Sequence, residues 1–498
     1  MKFTKKLLLG LGTSFTGLAS VVAMASCNSN SNSASSSTDN TKNYAKNDYA
    51  GIADLVASKA TEVKAAIDAN KTKELKIVLM TAGGKVNDKS FNESLWEAVS
   101  KHSTQTNNKV SRYVEPSESN LSDSYDALIK TDANVWVLTG FQHGDAFTKW
   151  YKNPLKKQSF DAKHPIVIAI DWESNDDLLP KGQFISLNYR TEDAGWIAGY
   201  AAADYLAQTV ADDSKRNTVV FGGHNGAGVT GFIAGYLGGI YKYNEENEKV
   251  TKLTGDKIVL NTGFDPSQTK NKTLVDTLVS EKEPKIVLPV AGTFTNVALE
   301  DVKKANKGQL IIGVDTDQSK PFATDASKFI TSIEKRLGAT LYRVLTDLFI
   351  KKGDKSDIIS TFTEGASGKN AHVYLGYYDG FVGVSKSSLA GDNKDKAQAA
   401  LDRAVAKFKE LLPQADKDNR EKMESALAIP FMTVDGSAKG EGKKDNQGLL
   451  DELAGKINAQ TGKKAAPAPT PAPSAPAPTG DGQGQGQGGQ QSGDQARN

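Results

Sequence analysis

The sequence predicts an α/β protein with two successive open sheets of parallel strands, and three observations support this fold class. Short runs rich in Val, Ile and Leu recur at residues 76–80, 134–138, 166–170, 217–221, 257–261, 285–290 and 310–314. Several of these runs are apolar on consecutive residues, which is typical of strands covered on both faces. Helical patterns lie between the runs and indicate crossover connections, and therefore parallel strands. The number of strands favours two sheets over one, with ligands expected at the carboxyl ends of strands.

The first predicted strand, residues 76–80, is followed by a glycine-bearing loop and a helix. The residues "SFNE" have the pattern of a capping box, in which the Ser90 side chain caps the helix and Glu93 reaches back to the N-cap. Phe91 begins an apolar stripe at helical spacing, so burial in the core is one interpretation. Because Phe91 lies beside the cap, its side chain could instead face a ligand.

Two glycine-bearing loops resemble phosphate-binding motifs but fit them poorly. The loop of residues 83–90 lacks the spacing of a P-loop, and the carboxylate of Asp88 would repel an anion. Gly226, Gly228 and Gly231 have the G-x-G-x-x-G order of a dinucleotide site, but four residues separate the strand from the first glycine. The acidic residue expected about 20 positions further on, at a strand end, is missing. A nicotinamide cofactor is therefore not expected.

Asp315 and Asp317 follow the predicted strand at 310–314 and leave two interpretations open. The pair could hold magnesium for phosphoryl transfer. The preferred interpretation is that one carboxylate faces a ligand hydroxyl while the other caps a turn. The histidines have no metal-ligand spacing on a helix and the sequence contains no G-x-S-x-G motif, so zinc and serine-hydrolase chemistry lack support. No cofactor and no metal are predicted.

The two ends of the chain carry targeting and linker patterns. Residues 1–26 combine early lysines, a short apolar stretch and small residues, as in a secretory signal peptide. Cys27, the single cysteine of the 498 residues, follows "MAS" as in the lipobox of bacterial lipoproteins, whose thiol is acylated. Two acyl chains would anchor the protein on the outer face of the cell membrane, since each buried methylene contributes about 0.8 kcal/mol. Residues 27–71 are predicted to be a flexible tether, and residues 463–498 a disordered Pro/Ala and Gly/Gln tail.

Seven motifs, taken in order, resemble the basic membrane protein family. They are "VNDKSFNESLWEAV", "VIAIDWE", "TGFIAGY", "VAGTFTN", "IIGVDTDQ", "ITSIEKR" and "VYLGYYDGFVGV". Members of this family are lipoproteins that serve as purine-nucleoside receptors of ABC importers. The resemblance implies the type I periplasmic-binding-protein fold, in which two doubly wound α/β lobes, joined by a hinge of three crossings, close on a ligand.

The resemblance also implies the domain boundaries. Lobe 1 is expected to comprise residues 72–180 and 315–352, and lobe 2 residues 181–314 and 353–385. Residues 386–462 are expected to form a C-terminal helical extension, because Ala, Leu, Val and Phe recur there at helical spacing. The resemblance assigns no role to this extension.

Carried over by position, the resemblance implies a set of ligand-binding residues. They are Phe91, Asn92, Asp171, Phe232, Gly292, Asp315 and Lys335. Phe91 and Phe232 would lie against the two faces of the base, and the glycine would allow a close approach of the backbone. Asp315 and Lys335 would take the ribose hydroxyls, with Asp171 among the other polar contacts.

The function implied is that of a monomeric, lipid-anchored receptor that captures a purine nucleoside and delivers it to an ABC permease and its ATPase subunits. One position departs from the family, since Ala82 stands where an aspartate is usual, nine residues before Phe91. This departure leaves the choice of nucleoside open. With 61 basic and 59 acidic residues spread evenly, the chain offers no basic patch for nucleic acid. A secreted enzyme that cleaves nucleosides or phosphate esters, and a surface adhesin on the same fold, remain as alternatives.

Overall fold

The computed structural model describes residues 48–174, 179–438, 440 and 442–463. Its strands are β1 (Ile77–Met80), β2 (Arg112–Val114), β3 (Val135–Thr139), β4 (Ile166–Ile170), β5 (Phe184–Tyr189), β6 (Asn217–Gly222), β7 (Lys252–Leu253), β8 (Ile286–Val290), β9 (Leu310–Asp315), β10 (Phe329–Lys335), β11 (Ala371–Leu375) and β12 (Val382–Val384). Its helices are α1 (Ala53–Asp68), α2 (Phe91–Gln105), α3 (Leu121–Leu128), α4 (Gln142–Tyr151), α5 (Pro154–Lys163), α6 (Thr191–Thr209), α7 (Ala227–Glu246), α8 (Thr269–Asp276), α9 (Phe294–Ala305), α10 (Leu337–Phe349), α11 (Asp392–Leu411), α12 (Arg420–Leu427) and α13 (Asn446–Ala459). The predicted signal peptide, Cys27 and the chain from residue 464 onward lie outside the described residues.

The strands of the described chain form two sheets with equivalent strand orders. Sheet 1 has the order β11-β5-β4-β3-β1-β2, and sheet 2 has the order β12-β10-β9-β8-β6-β7. Neighbouring strands are parallel, except that β12 is antiparallel to β10. In β1, Ile77 and Leu79 face one apolar core while Val78 and Met80 face another, so helices cover both faces. The predicted fold class, two doubly wound α/β layers, is confirmed.

The predicted boundaries of the two lobes are wrong for three strands. Sheet 1 and its helices form lobe 1, and sheet 2 and its helices form lobe 2. Strands β5 and β11 belong to sheet 1, although they were expected in lobe 2, and β10 belongs to sheet 2, although it was expected in lobe 1. The cause is strand pairing, because β11 pairs in register with β5, β5 with β4, and β10 with β9. The chain therefore crosses between the lobes at Arg190, at Arg336 and in residues 376–381.

One predicted strand is absent from the described structure. Residues 257–261 are apolar enough for a strand, but Val259 makes only an isolated bridge to Phe221. Side chains of α13 instead form hydrogen bonds with the backbone of Ile258. Its N–H donates to Asp451 and its carbonyl accepts from Gln447, both at 2.8 Å. These bonds satisfy the groups that a neighbouring strand would otherwise pair.

Helices α6 and α7 pack with their backbones in contact, and this packing fixes the position of Phe232. A Cβ atom at Gly195 of α6 would lie 2.1 Å from the carbonyl oxygen of Phe232. A Cβ atom at Gly235 of α7 would lie 2.1 Å from the carbonyl oxygen of Glu192. Glycine is therefore required at both positions, because any larger residue would separate the two helices.

The predicted tether is wrong for residues 53–68, which form helix α1. The N–H groups of Ile52 and Ala53 donate to the carboxylate of Asp48, each at 2.8 Å. Ile52, directly before the helix, and Val63, within it, are buried. Apolar burial of this kind stabilises a helix against lobe 1, which a polar tether could not do.

The segment predicted as a helical extension contains α11, α12 and α13, which lie on lobe 2. Helix α11 packs on α6, and α13 packs on α7. Leu401 and Phe408 of α11 are buried in this contact. Of the helices described, none is long and apolar enough to cross a membrane.

Candidate ligand-binding site

Lys335, the last residue of β10, lies at the point where the two lobes meet. Its Nζ atom is 2.5 Å from Oδ2 of Asp171 and 3.8 Å from Oδ1 of Asp315. Asp171 follows β4 of lobe 1, whereas Asp315 ends β9 of lobe 2. The Lys335 side chain is 2% exposed. A buried ammonium group thus joins carboxylates from both sheets at the carboxyl ends of their strands.

Asp171 and Asp315 occupy corresponding places in the two sheets and share an unusual backbone conformation. Strands β4 and β9 are each third in the order of their sheet. The φ angles are +63° for Asp171 and +66° for Asp315, in the left-handed region that side chains other than glycine seldom adopt. Strain of this kind is concentrated at functional sites, where the surrounding structure has to maintain it.

Three aromatic rings surround the ammonium group of Lys335. The distance from Nζ to the ring centroid is 5.3 Å for Phe91, 5.5 Å for Phe232 and 5.8 Å for Tyr189. Phe232 is fully buried, and Phe91 is partly exposed. Cations are attracted to the faces of aromatic rings, so the rings and the two carboxylates together stabilise the buried charge. The Phe91 ring lies at the edge of this cluster. Its position is therefore compatible with both the core interpretation and the ligand interpretation.

The predicted capping box at the start of α2 is wrong, and the reason connects the loop to Asp315. Asp88 caps the helix, because its carboxylate accepts from the N–H groups of Ser90, Asn92 and Glu93 at 2.9 to 3.0 Å. The Ser90 side chain makes no cap. Its Oγ atom instead donates to Oδ2 of Asp315 at 3.0 Å, across the boundary between the lobes.

Asn92 holds loops of lobe 1 together. Its Nδ2 atom donates to Asp88 at 3.0 Å, and its Oδ1 atom accepts from Thr139 at 2.9 Å. The side chain thus joins the loop after β1 to the end of β3. Ala82 is buried in the same loop, and its Cβ atom would be 3.5 Å from a Cβ atom at Gly140. At the position where the family resemblance implies an aspartate, the structure therefore presents a methyl group.

A second cluster of aromatic side chains lies between the two lobes. The Phe141 ring of lobe 1 stacks on the His224 ring of lobe 2, with centroids 4.0 Å apart and planes inclined by 27°. The Phe264 ring lies 6.3 Å from Phe141. Gly292, with φ of +54°, lies beside Phe264. Gly292 is thus at the edge of the site, in contact with this second cluster.

The carboxylates of Asp315 and Asp317 have different contacts in the structure. The Oδ1 atom of Asp317 accepts from the Ser319 hydroxyl at 2.6 Å, and its carbonyl accepts from the N–H of Lys320. Asp317 therefore caps a turn, while Asp315 faces Lys335. Within the described part of the chain, His, Cys, Asp and Glu side chains form no group of three or more that could hold a metal ion.

The model of the family described as "ABC transporter substrate-binding protein PnrA-like" matches residues 75–403. The chain belongs to this family. Basic membrane protein A of Borreliella burgdorferi is 29% identical over 272 residues, which cover 54% of this chain and 70% of the relative. Basic membrane protein C of the same organism is 25% identical over 297 residues, covering 57% of this chain and 76% of the relative. The predicted family resemblance is confirmed.

A solved structure supports the fold of this substrate-binding protein. The solute-binding protein of an ABC transporter system from Aeropyrum pernix K1 superimposes with a TM-score of 0.54 at 17% identity. The superposition covers 78% of this chain and all of the other. The predicted type I periplasmic-binding-protein fold is confirmed. Because the family consists of binding proteins, membership points away from an enzyme.

Five of the seven predicted site residues of this PnrA-like protein surround one point. They are Phe91, Asp171, Phe232, Asp315 and Lys335. Sequence reasoning missed Ser90, Tyr189, Phe141 and His224. Tyr189 ends β5 as Lys335 ends β10, and Phe141 and His224 follow the ends of β3 and β6. A search of all strand ends for polar and aromatic residues could have found them.

Burial raises the pKa of the Asp315 carboxyl to about 6, although the Lys335 ammonium opposes this shift. The folded chain therefore binds a proton at Asp315 more tightly than the unfolded chain does. The contribution of Asp315 to the free energy of unfolding should rise as the pH falls from 7 towards 4. We expect denaturant unfolding to show the wild type gaining stability relative to Asp315→Asn over this range. A difference that stays constant with pH would contradict the raised pKa.

Proposed function

We propose that this substrate-binding protein captures a nucleoside, with purines as the preferred class, in the cleft between its lobes. The observation that carries the proposal is the buried Lys335, paired with two strand-end carboxylates beside the rings of Phe91 and Phe232. A nucleoside combines a flat aromatic base with vicinal ribose hydroxyls. Aromatic side chains stack on bases with about 1–3 kcal/mol per base. Ionised carboxylates accept strong hydrogen bonds from hydroxyl groups.

The charge of the site favours a nucleoside over a nucleotide. Asp171 and Asp315 bring two negative charges, against the one positive charge of Lys335. A phosphate group placed here would face these carboxylates in a buried, weakly screened environment, which disfavours it. An uncharged ligand with hydroxyl donors meets no such repulsion. Ala82 has a methyl group where the family resemblance implies a carboxylate. The loss of this acceptor affects which base the site prefers.

The protein delivers its ligand to an ABC permease, and Cys27 holds it to the outer face of the membrane as the acylated first residue of the mature chain. Support comes from the family and from the "MASC" pattern. We expect Cys27→Ala to leave the chain unacylated, and either unprocessed or released from cells. Metabolic labelling with a fatty acid and partition into detergent measure this. Labelling equal to that of the wild type would contradict the lipid anchor.

The proposed function is tested with the full mature chain carrying Cys27→Ser, which removes the lipid. Adenosine, guanosine, inosine and uridine are titrated by calorimetry, and each mixture is then analysed by chromatography after prolonged incubation. We expect saturable binding of purine nucleosides with no new product. Conversion to free base would establish a nucleoside hydrolase instead. The lack of binding of any nucleoside would refute the proposal and leave the adhesin alternative.

A further inference from the structure

The loop between α11 and α12, residues 412–419, contacts the segments where the chain crosses between the lobes. This loop lies beyond residue 403, where the match to the family ends. Arg190 of the first crossing donates from Nη2 to Asp379 of the third crossing at 2.8 Å, and from Nη1 to Asp418 of the loop at 2.6 Å. Lys417 of the loop donates to Asp379 at 2.5 Å. We call Arg190, Asp379, Lys417 and Asp418 the hinge charge cluster.

The hinge charge cluster is partly buried and adjoins a further carboxylate. Asp379 lies between Arg190 and Lys417, Asp418 lies against Arg190, and the buried carboxylate of Asp193 is 3.7 Å from Nε of Arg190. The Arg190 side chain is 5% exposed, whereas that of Asp418 is 69% exposed. The backbones of two crossings are also joined, because the N–H of Arg336 donates to the carbonyl of Phe381 at 2.9 Å. A rotation of the lobes about the crossings would therefore disturb these charge pairs.

Arg420, the first residue of α12, reaches lobe 1. Its guanidinium lies 5.9 Å from the ring centroid of Tyr374 in β11 of lobe 1, and it also donates to Glu192 of α6 in lobe 2 at 2.6 Å. The hydroxyl of Tyr378, in the third crossing, donates to the carbonyl of Leu412 at 2.6 Å. The loop and the start of α12 are thus together in contact with the hinge and with both lobes.

The rest of the extension is attached to lobe 2. The indole N–H of Trp196 donates to the carbonyl of Leu427 at 3.0 Å, and Asn446 donates to Thr230 at 3.0 Å. Arg403 pairs with Asp204 of α6 at 2.7 Å. Because these contacts lie within one lobe, they persist whether the lobes are open or closed. The loop is therefore held on lobe 2 while its charges act on the hinge.

The third crossing packs on α11 beside an open groove. The rings of Tyr377 and Tyr378 lie 5.4 Å and 6.2 Å from the ring centroid of Phe408 in α11. The groove, of about 600 Å³, is lined among others by Arg336, Tyr377, Lys409 and Gln414. The polar contacts of the loop therefore act on the crossing together with this aromatic packing.

We propose that Lys417 and Asp418 act as positioning residues that lock the hinge in its closed setting, so that the C-terminal extension determines how long the lobes stay closed on a ligand. The closed setting is the one in which Lys335 of sheet 2 pairs with Asp171 of lobe 1. The proposal gives the C-terminal extension a role in lobe closure, in addition to the ligand binding for which the family fold provides the two lobes. It does not depend on the ligand being a nucleoside.

The test uses the full mature chain with Cys27→Ser and two dye-labelled positions, Ser119→Cys after β2 and Lys257→Cys after β7. Both positions are exposed, and both strands lie at the sheet edges remote from the crossings. Single-molecule energy transfer then measures opening of the ligand-free chain. We expect Lys417→Gln combined with Asp418→Asn to raise the opening rate about threefold to tenfold, because Arg190 and Asp379 each lose one partner.

The matched control is Arg403→Gln, which removes a charge pair between the same extension and lobe 2 without touching the hinge. We expect its opening rate to equal that of the parent. Added salt should speed opening in the parent and have less effect in the double variant, since screening weakens only the pairs that remain. An unchanged opening rate in the double variant, or an equal increase in the control, would overturn the lock and leave the extension a structural role alone. Either result is independent of the nucleoside titrations.

Discussion

Replacing Lys335 with methionine is expected to abolish nucleoside binding and to lower the free energy of unfolding by about 3–5 kcal/mol. The change keeps the length of the side chain but removes the charge that joins Asp171 and Asp315. Two carboxylates then share a buried site without a counter-ion, which is costly in a poorly hydrated environment. Calorimetric titration and denaturant unfolding measure the two effects.

Two further variants make the Lys335 result specific. Lys303→Met serves as the matched control, because Lys303 pairs with Asp325 at 2.9 Å on the surface and should lose at most about 1 kcal/mol. Adding Asp171→Asn to Lys335→Met should recover part of the lost stability, since it removes one unpaired charge, but it should not recover binding. Nucleoside affinity that survives Lys335→Met in a folded chain would place the ligand elsewhere.

Changing Phe232 and Phe91 to alanine is expected to separate stacking from packing. Phe232 is fully buried, so Phe232→Ala should cost about 3–5 kcal/mol of stability. It should also cost about 1–3 kcal/mol of nucleoside affinity if the ring stacks on the base. Phe91 is partly exposed at the start of α2, so Phe91→Ala should lower affinity by a similar amount with a smaller loss of stability.

Calorimetry at a temperature where each variant is folded provides the affinities, and thermal unfolding provides the stabilities. Leu299→Ala serves as a control for cavity formation, because this buried residue belongs to a separate core of lobe 2. It should lower stability and leave affinity unchanged. Equal affinities of the wild type and Phe91→Ala would remove the first ring from the site.

The alternation of strands and helices could be predicted from the sequence because it depends on local patterns. The apolar runs of β1, β3, β4 and β8 are buried on both faces, as consecutive apolar residues indicate. Membership of a sheet could not be predicted in this way, because it depends on pairing between distant segments. Strand β11 joins β5 across more than 180 residues, and nothing local in either strand specifies that partner.

Asp315 could be singled out from the sequence because a carboxylate directly after a predicted strand indicates a ligand contact, whereas Asp171 and Lys335 were implied only by the resemblance to the family. The site was not predictable where a side chain changes its role through a distant contact. Ser90 has every local feature of a helix cap, yet Asp88 takes that role and the Ser90 hydroxyl bonds to Asp315. Tyr189 was missed because a tyrosine at a strand end fits a core as well as a site.

The two sheets repeat one strand order, while the residues at the ends of their strands differ. Strands β4 and β9 both lead to an aspartate in the left-handed conformation, but β5 ends in Tyr189 where β10 ends in Lys335. One cation therefore serves two symmetric carboxylates. In the proposed site, a ligand would therefore meet carboxylate acceptors from both lobes and a single ammonium donor from lobe 2.

The most direct measurement of this site is calorimetry with adenosine and 2′,3′-dideoxyadenosine on the wild type and on Asp315→Asn, with and without a chelator. If Asp315 accepts the ribose hydroxyls, the wild type binds adenosine more tightly than the dideoxy analogue, and Asp315→Asn weakens adenosine more than the analogue. The chelator should then have no effect. Equal losses for both ligands in Asp315→Asn, or loss of binding in the chelator, would contradict the assignment of Asp315 as the ribose acceptor.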